Sequence, residues 1–532
     1  MTQFYKRFMQ KIADLLRAVW YHFSMSLKTN SLPNDIESLQ VLAKEQQVLI
    51  NALTEQVRLL KHHRFGSSSE KIPVDQLSLF NEAELEFDST EEQPETKTVA
   101  EHTRRRGHRK GLSKDLPRIE MIHDLSQEEK ICTCGCEKIC IGEESSEQLE
   151  IIPAQIRVIR NIFPKYSCQQ CEDAGVQRAN PVLSPIPRSN VTAGLLAYII
   201  TAKFQDGLPF YRQEKIFNRL GAEVSRTTMA RWVIQSLDSV QPLLNLINDT
   251  AISHDIMAVD ETSLQVLKED GKSATSKSYM FVRQGGPPDK PVTLFDYSPR
   301  KEQSFVDDLL MDFNGYLQSD GYAAYGSFAD RHEAVTAVGC WAHARRKFKE
   351  ATIAQGKKTG AAMQGLSYIN ALYRFEHEIV ELNTTEQRYE IRQEKALPML
   401  EKIRAWLDKS LPRIPEKSKT GAALNYLHNQ WQALIVYVND GRLRIDNNLT
   451  ENAIRPFVIG RKNWLFSDTV KGAKASAAFY SLIETAKANN LEPYHYLRYI
   501  FKELPKVKTV EQYESLLPWN IDVKDLNDNS IN

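Results

Sequence analysis

Between residues 36 and 60 apolar side chains recur at heptad spacing. One seam reads Ile36, Ala43, Ile50, Val57 and the other reads Leu39, Gln46, Leu53, Leu60. β-branched residues in the first seam and leucine in the second favour a parallel two-stranded coiled coil, with Gln46 fixing register at some expense of stability. The competing reading is a single amphipathic helix lying on the chain's own core. The segment RFGSSSEK (Arg64 to Lys71) ends this helix, and residues 82–101 are rich in Glu and poor in apolar residues. Such a stretch buries too little surface to offset its ordering entropy and reads as a linker.

Residues 191–240 have helical periodicity. From Tyr211 to Val233 a helix breaks at Gly221, and a second opens with Ser225 placed to cap it. This spacing fits a helix-turn-helix, whose second helix carries the major-groove contacts, here offered by Arg226 and Arg231. Plain helix packing gives the same pattern.

From Ile256 the period shortens to that of strands. MAVDETSLQVL, KSYMFVRQ and PVTLFDYSP read as three strands, KEQSFVDDLLMDF as a helix, and GYLQSDGYAAY as a fourth strand ending at Asp320. Three strands, a helix and a fourth strand is the order of a ribonuclease H-like α/β fold. In that fold the first three strands form an antiparallel meander and the fourth returns parallel beside the first. The topology predicts that Asp260 and Asp320 lie side by side. Two adjacent carboxylates repel each other unless a cation intervenes. Magnesium suits carboxylate and water oxygens, and two such ions about 4 Å apart serve phosphodiester chemistry. An Asp at a strand end that merely caps the following turn is the plainer account of Asp320 before Gly321.

A third acid is expected from a later helix. The stretch DNNLTENAIRPFVIGRKNWLF (Asp446 to Phe466) offers Glu451, with Asp446 as competitor. Asn448 and Glu451 also have capping-box spacing, and Glu451 with Arg455 has ion-pair spacing. The residues alone leave these alternatives open.

Composition changes the picture in three places. The 532 residues exceed one compact core, and Lys plus Arg (68) equals Asp plus Glu (68), so any DNA binding must rest on local charge. One local candidate is RRRGHRKGLSK, where Arg104, Arg105, Arg106, Arg109 and Lys110 offer a strip for a phosphate backbone or minor groove. A solvated loop neutralised by the preceding acidic run is the alternative. Second, no apolar run is long enough for a bilayer span. Phe4, Phe8, Ile12, Leu15, Leu16, Val19 and Trp20 are interrupted by Lys6, Arg7, Lys11, Asp14 and Arg17, which excludes a signal-peptide core and describes a basic amphipathic extension. Third, six of the seven cysteines lie between Cys132 and Cys171. Without an export signal this points to metal in a reducing, cytoplasmic compartment. Cys132 with Cys134 or Cys136, closed by Cys168 and Cys171, would make a structural tetrahedral zinc site.

RFGSSSEK, the cysteine knuckle with GEESSEQLEIIPAQIRVIRNIFPKYSC, VDET, SDGYAAY, GCWAHARRKF and DNNLTENAIRPFVIGRKNWLF occur in this order. Together they resemble the insertion-sequence-66 family of DDE transposases, from about the coiled coil to about Ile500. The resemblance implies a ribonuclease H-like catalytic domain whose metal-binding acids are Asp260 (VDET), Asp320 (SDGYAAY) and Glu451 (NNLTENAIRP), with Mg2+ or Mn2+ as catalytic ion. It implies an enzyme that binds the ends of an insertion sequence, cleaves to 3′-hydroxyl ends and joins these to target DNA, with two small accessory proteins encoded beside it. The alternative is a catalytically inactive DNA-binding protein or repressor derived from such an element. Cys340 and His343 belong to the same pattern and lie one helical turn apart; core packing is their simplest role, metal or DNA binding a further one. Arg345, Arg346, Arg461 and Lys462 are candidate phosphate contacts. The first cysteine pair and the first 30 residues depart from the family pattern.

The expected organisation is an extension (1–30), coiled coil (31–64), linker with basic strip (65–118), zinc module (119–185), helix-turn-helix-like segment (186–250), catalytic domain (251–350 and 441–485) split by a helical insertion (351–440), and a C-terminal helical segment (486–532). The expected assembly is a homo-oligomer, in the first instance a dimer, on DNA and away from membranes.

Overall fold

The computed structural model describes residues 36–65, 155–167, 176–356, 359–380 and 384–526. The six clustered cysteines, the basic strip at 104–114 and the first 30 residues lie outside these. A helix α1 spans Ile36–Phe65, and a two-stranded ribbon pairs β1 (Lys165–Ser167) with β2 (Val176–Arg178). Three helices follow: α2 (Ala193–Phe204), α3 (Phe210–Arg219) and α4 (Arg226–Ile252). Ser225 caps α4 by accepting from the Thr228 N–H at 3.2 Å, as its position predicts.

The central sheet contains β3 (Ile256–Lys268), β4 (Lys277–Gly285), β5 (Val292–Ser298), β6 (Gly315–Gln318) and β7 (Val335–Val338), in the order β5-β4-β3-β6-β7. β3, β4 and β5 form an antiparallel meander. The helix α5 (Gln303–Leu309) then returns the chain so that β6 runs parallel to β3, and α6 (Ala323–Arg331) returns it again so that β7 runs parallel to β6. The three strands, helix and parallel fourth strand expected from the pattern are all present. β4 and β5 are buried along most of their length, as strands covered by helices are.

After β7 the chain becomes helical: α7 (Trp341–Gln355), α8 (Ala361–Val380), α9 (Thr385–Ile391), a π-turn at Arg392–Ala396, α10 (Leu397–Ser410), α11 (Lys419–Asn429) and α12 (Trp431–Ile435). These helices have their own core, including Trp341, Phe348, Leu372, Ile403, Leu424 and Tyr437. The exit of this region is fastened to the sheet, because Arg442 forms a two-pronged pair with Asp255 just before β3, at 3.0 and 2.7 Å. The chain then re-enters the first core through α13 (Asn448–Trp464), β8 (Ser467–Thr469), α14 (Val470–Ala488) and α15 (Pro493–Glu503).

α14 solves the edge problem of the sheet. β5 is one of the two edge strands, and unpaired edge groups invite aggregation. The Ser481 hydroxyl accepts from the Phe295 N–H at 2.7 Å, and Thr485 accepts from the Thr293 N–H at 3.1 Å. Alanines at 473, 475, 477 and 478 of the same helix are all buried.

α1 rests on α7 through a face that the heptad did not mark. Leu59 is buried, Arg58 donates to the carbonyls of Ala354 and Gln355, and Glu55 accepts from the Lys419 N–H. The seam positions Ile50, Val57 and Leu60 stay exposed at 54%, 48% and 55%. Docking on the chain's own core and an open seam therefore coexist on one helix.

No described helix is long and apolar enough to cross a membrane.

The helical region depends on one buried cation. Arg392 pairs with Glu376 at 2.7 Å and donates to the carbonyls of Tyr437, Asp440 and Leu443. Removing one partner of a buried pair costs about 3–5 kcal/mol. Arg392→Met should lower the unfolding free energy from urea titrations followed by tryptophan fluorescence by about 3–5 kcal/mol; an unchanged value would show that the pair does not hold these helices.

Candidate active site

Asp260 lies on β3 and Asp320 follows the end of β6. The parallel register pairs Ile256 with Tyr316, Met257 with Leu317 and Ala258 with Gln318. Two residues further on, it brings Asp260 level with Asp320. Carboxylate oxygens of Asp260, Glu261 and Asp320 lie within 4.8 Å of one another. Asp260 is 5% exposed, and its Oδ1 accepts from the Glu261 N–H at 2.7 Å. Asp320 Oδ1 accepts from the Tyr322 N–H at 2.9 Å. That bond is the turn-capping role that its place before Gly321 suggests, so capping and membership of the acid cluster go together. Gly321 has φ +90°, and a Cβ there would meet the Gln430 side chain at 3.0 Å. The helical region also reaches this point through the Tyr426 hydroxyl, which donates to the Asp320 carbonyl at 2.9 Å.

Glu261 is an acid that the sequence pattern does not single out. Its two oxygens are both engaged, one by the Lys301 ammonium and the other by the Tyr325 hydroxyl at 2.8 Å. Lys301 in turn lies 3.7 Å from the centre of the Tyr322 ring. Burial pushes the Asp260 carboxyl well above its ordinary range, and the Asp320 and Glu261 charges push it further. Burial and Asp320 also raise Glu261, against the opposing pull of Lys301 and Tyr325. Glu261 thus has an internal counter-charge, whereas Asp260 and Asp320 face each other. Their oxygen-only donor set and mutual repulsion fit a hard divalent cation.

Glu451 sits in the first turn of α13 and is 6% exposed. This helix starts at Asn448 with Asn447 as its cap residue, one position earlier than a capping box built on Asn448 requires, and Asn447 makes no side-chain cap bond. Instead the Asn447 amide donates to the Val259 carbonyl at 2.9 Å, tying the start of α13 to the residue before Asp260. The competing Asp446 accepts from the Tyr373 hydroxyl at 2.9 Å and from Asn448. The Glu451 carboxylate itself groups with Cys340 and His343, with ligand atoms within 4.8 Å, and lies outside the cluster of the other three acids.

The candidate DNA contacts divide. Arg226 and Arg231 are exposed on α4, although the Glu214 carboxylate accepts the Arg226 N–H at 3.0 Å. Arg345 is half-buried, donates to Asn370 and stacks on Tyr373. Arg346 and Lys462 are half-buried. Arg461 reaches Thr262 and Ser263 of β3 at 3.4 and 3.3 Å, and burial lowers its pKa.

The raised Asp260 pKa has a definite sign. The folded chain holds this proton more tightly than the unfolded chain, so its stability falls as pH rises above the unfolded carboxyl pKa of about 3.9. Without divalent ions, Asp260→Asn should therefore melt higher than the wild type at neutral pH, and the gap should close towards pH 4. A pH-independent gap in thermal melts would contradict this.

Four family models match the chain. The one described as Transposase IS66 family covers residues 188–475. Transposase C of IS166 homeodomain covers 52–121, the zinc-finger binding domain of transposase IS66 covers 129–172, and the IS66 C-terminal element covers 481–519. Among curated proteins, Uncharacterized protein y4qI of Sinorhizobium fredii is 32% identical over 505 residues, 91% of this chain and 92% of the relative. Uncharacterized protein y4jD of the same organism is 30% identical over 518 residues, 93% of this chain and 98% of the relative.

Proposed function

The chain belongs to the IS66 family of transposases, and from that premise we propose that it binds the ends of an insertion sequence, cleaves them to 3′-hydroxyl ends and joins these to target DNA, with Asp260, Asp320 and Glu451 as the metal-holding acids. The observation that carries this reading is the placement of Asp260, buried on β3, level with the half-buried Asp320 just past the end of the parallel β6, neither carboxylate making, among the described residues, an ion pair of the kind that Glu261 makes with Lys301. The sheet order supports a ribonuclease H-like catalytic domain interrupted by the helical region.

Asp260 and Asp320 are each oriented by a backbone N–H, which fixes the carboxylates towards their shared space. The Asn447 bond to Val259 ties the start of α13, whose first turn carries Glu451, to the residue before Asp260 on the same strand. Mg2+ or Mn2+ held by these acids would supply activation of the attacking oxygen and stabilisation of the leaving one. The zinc module, with Cys132, Cys134, Cys168 and Cys171, the basic strip and the exposed start of α4 grip the element ends. The open seam of α1 pairs two subunits so that both ends are held together, and the reaction takes place in the cytoplasm.

Replacing an outer partner of a metal site costs about 10- to 100-fold. Asp260→Asn, Asp320→Asn and Glu451→Gln should each reduce magnesium-dependent cleavage and strand transfer on element-end DNA beyond that range, whereas Glu261→Gln stays within it. Gel-shift binding to the ends should survive in all four. Wild-type cleavage by Asp260→Asn sinks the assignment, and pre-cleaved ends separate joining from cutting.

For the seam, Ile50→Glu with Leu60→Glu should shift the sedimenting species to the mass of one chain without loss of helical signal. An unchanged mass places self-association elsewhere.

A further inference from the structure

The described residues contain two clusters of side chains suited to hold a metal ion. The acid cluster on β3 and β6 is made of oxygen donors alone. The other cluster contains a thiol, an imidazole and a carboxylate, and it is buried or half-buried throughout. Cys340 is the cap residue of α7, His343 lies in the first turn of that helix, and Glu451 lies in the first turn of α13. The two helix starts are joined by backbone bonds: Trp341 N–H donates to the Ile445 carbonyl at 3.1 Å, and Asn447 N–H donates to the Cys340 sulfur at 3.3 Å. The Cys340 sulfur thus stands at the start of α7, held by a backbone N–H from the start of α13.

We propose that Cys340 Sγ, a ring nitrogen of His343 and a carboxylate oxygen of Glu451 form a site for a thiophilic divalent cation, with zinc as the best-matched ion, distinct from the oxygen-only Asp260–Asp320 pair. Zinc bonds of about 2.3 Å to sulfur and about 2.0–2.2 Å to nitrogen and oxygen, at tetrahedral angles, set nitrogen and oxygen ligands about 3.4 Å apart and sulfur slightly further. His343 Nδ1 and Glu451 Oε1 stand 3.7 Å apart, a few tenths of an ångström from that edge, and the sulfur is within 4.8 Å of both. Sulfur with imidazole selects zinc over magnesium, so the two clusters discriminate by donor type. Three protein ligands leave the fourth tetrahedral position open.

The site holds Glu451 on the side of α7. If Glu451 serves the acid pair as proposed above, zinc here withdraws it from magnesium-dependent chemistry, and the trio acts as an inhibitory metal switch. Zinc binding itself does not depend on that reading.

The test is a zinc count on the metal-stripped full chain, dialysed against zinc alone and measured by atomic emission. Cys340→Ser and His343→Gln should each bind one zinc fewer per chain than the wild type, and Asp260→Asn should bind as many as the wild type. Far-ultraviolet circular dichroism identifies folded variants; His343→Gln keeps the side-chain volume at a half-buried position and carries the test if Cys340→Ser does not fold. An unchanged count in either folded variant overturns the site, and loss of the same zinc in Asp260→Asn overturns its separateness from the acid pair. Active Asp260→Asn protein would sink the catalytic assignment while leaving these counts as expected, so the two failures are told apart.

Discussion

Asp260 and Asp320 lie level with each other on neighbouring parallel strands, where burial and the like charges of Asp320 and Glu261 oppose the ionisation of Asp260. Much of the surrounding architecture serves to hold that unfavourable pair in place. The long β3 carries Asp260 between β4 and β6. The turn at Gly321 fixes Asp320, and the helical region closes around it through Gln430 and Tyr426. Arg442 fastens the exit of that region to Asp255, and Asn447 fastens the next helix to Val259. Such an arrangement stores unfavourable electrostatics that a divalent cation relieves, which is how a metal site of hard oxygen donors differs from a structural ion pair.

The neighbouring acid shows the contrast. Glu261 is as close to Asp320 as a metal ligand would be, yet Lys301 and Tyr325 take both its oxygens. Around Glu451 the donors change from oxygen to sulfur and nitrogen. Glu451 belongs by position to the sulfur and nitrogen donors of Cys340 and His343.

The sheet was legible because strand order depends on local patterning: alternation in β3, apolar runs in β4 and β5, and a polar helix before β6 are all visible in the chain. Asp260 and Asp320 followed from that order. Ser225 was legible as a cap because capping is local. Glu451 was not, because its neighbours in sequence explain it equally well as a helix-start residue, and the resemblance alone singled it out. Its grouping with Cys340 and His343 was hidden by the length of chain between α7 and α13. Lys301 was invisible for the same reason, since nothing local marks it as the partner of Glu261. For α1 the heptad marked the seam, while Arg58, which bonds to α7, Glu55, which bonds to the start of α11, and the buried Leu59 sit off the seam.

The central claim is that Asp260 and Asp320 form a cation site that Glu451 joins. Crystals of the full chain grown with manganese, the data being recorded at its absorption edge, test this directly. The account predicts anomalous density between Asp260 and Asp320, with Glu451 turned towards it and Glu261 still held by Lys301. Density bound by Glu261 in place of Asp260, or an acid pair that takes no manganese at millimolar concentration, would contradict it.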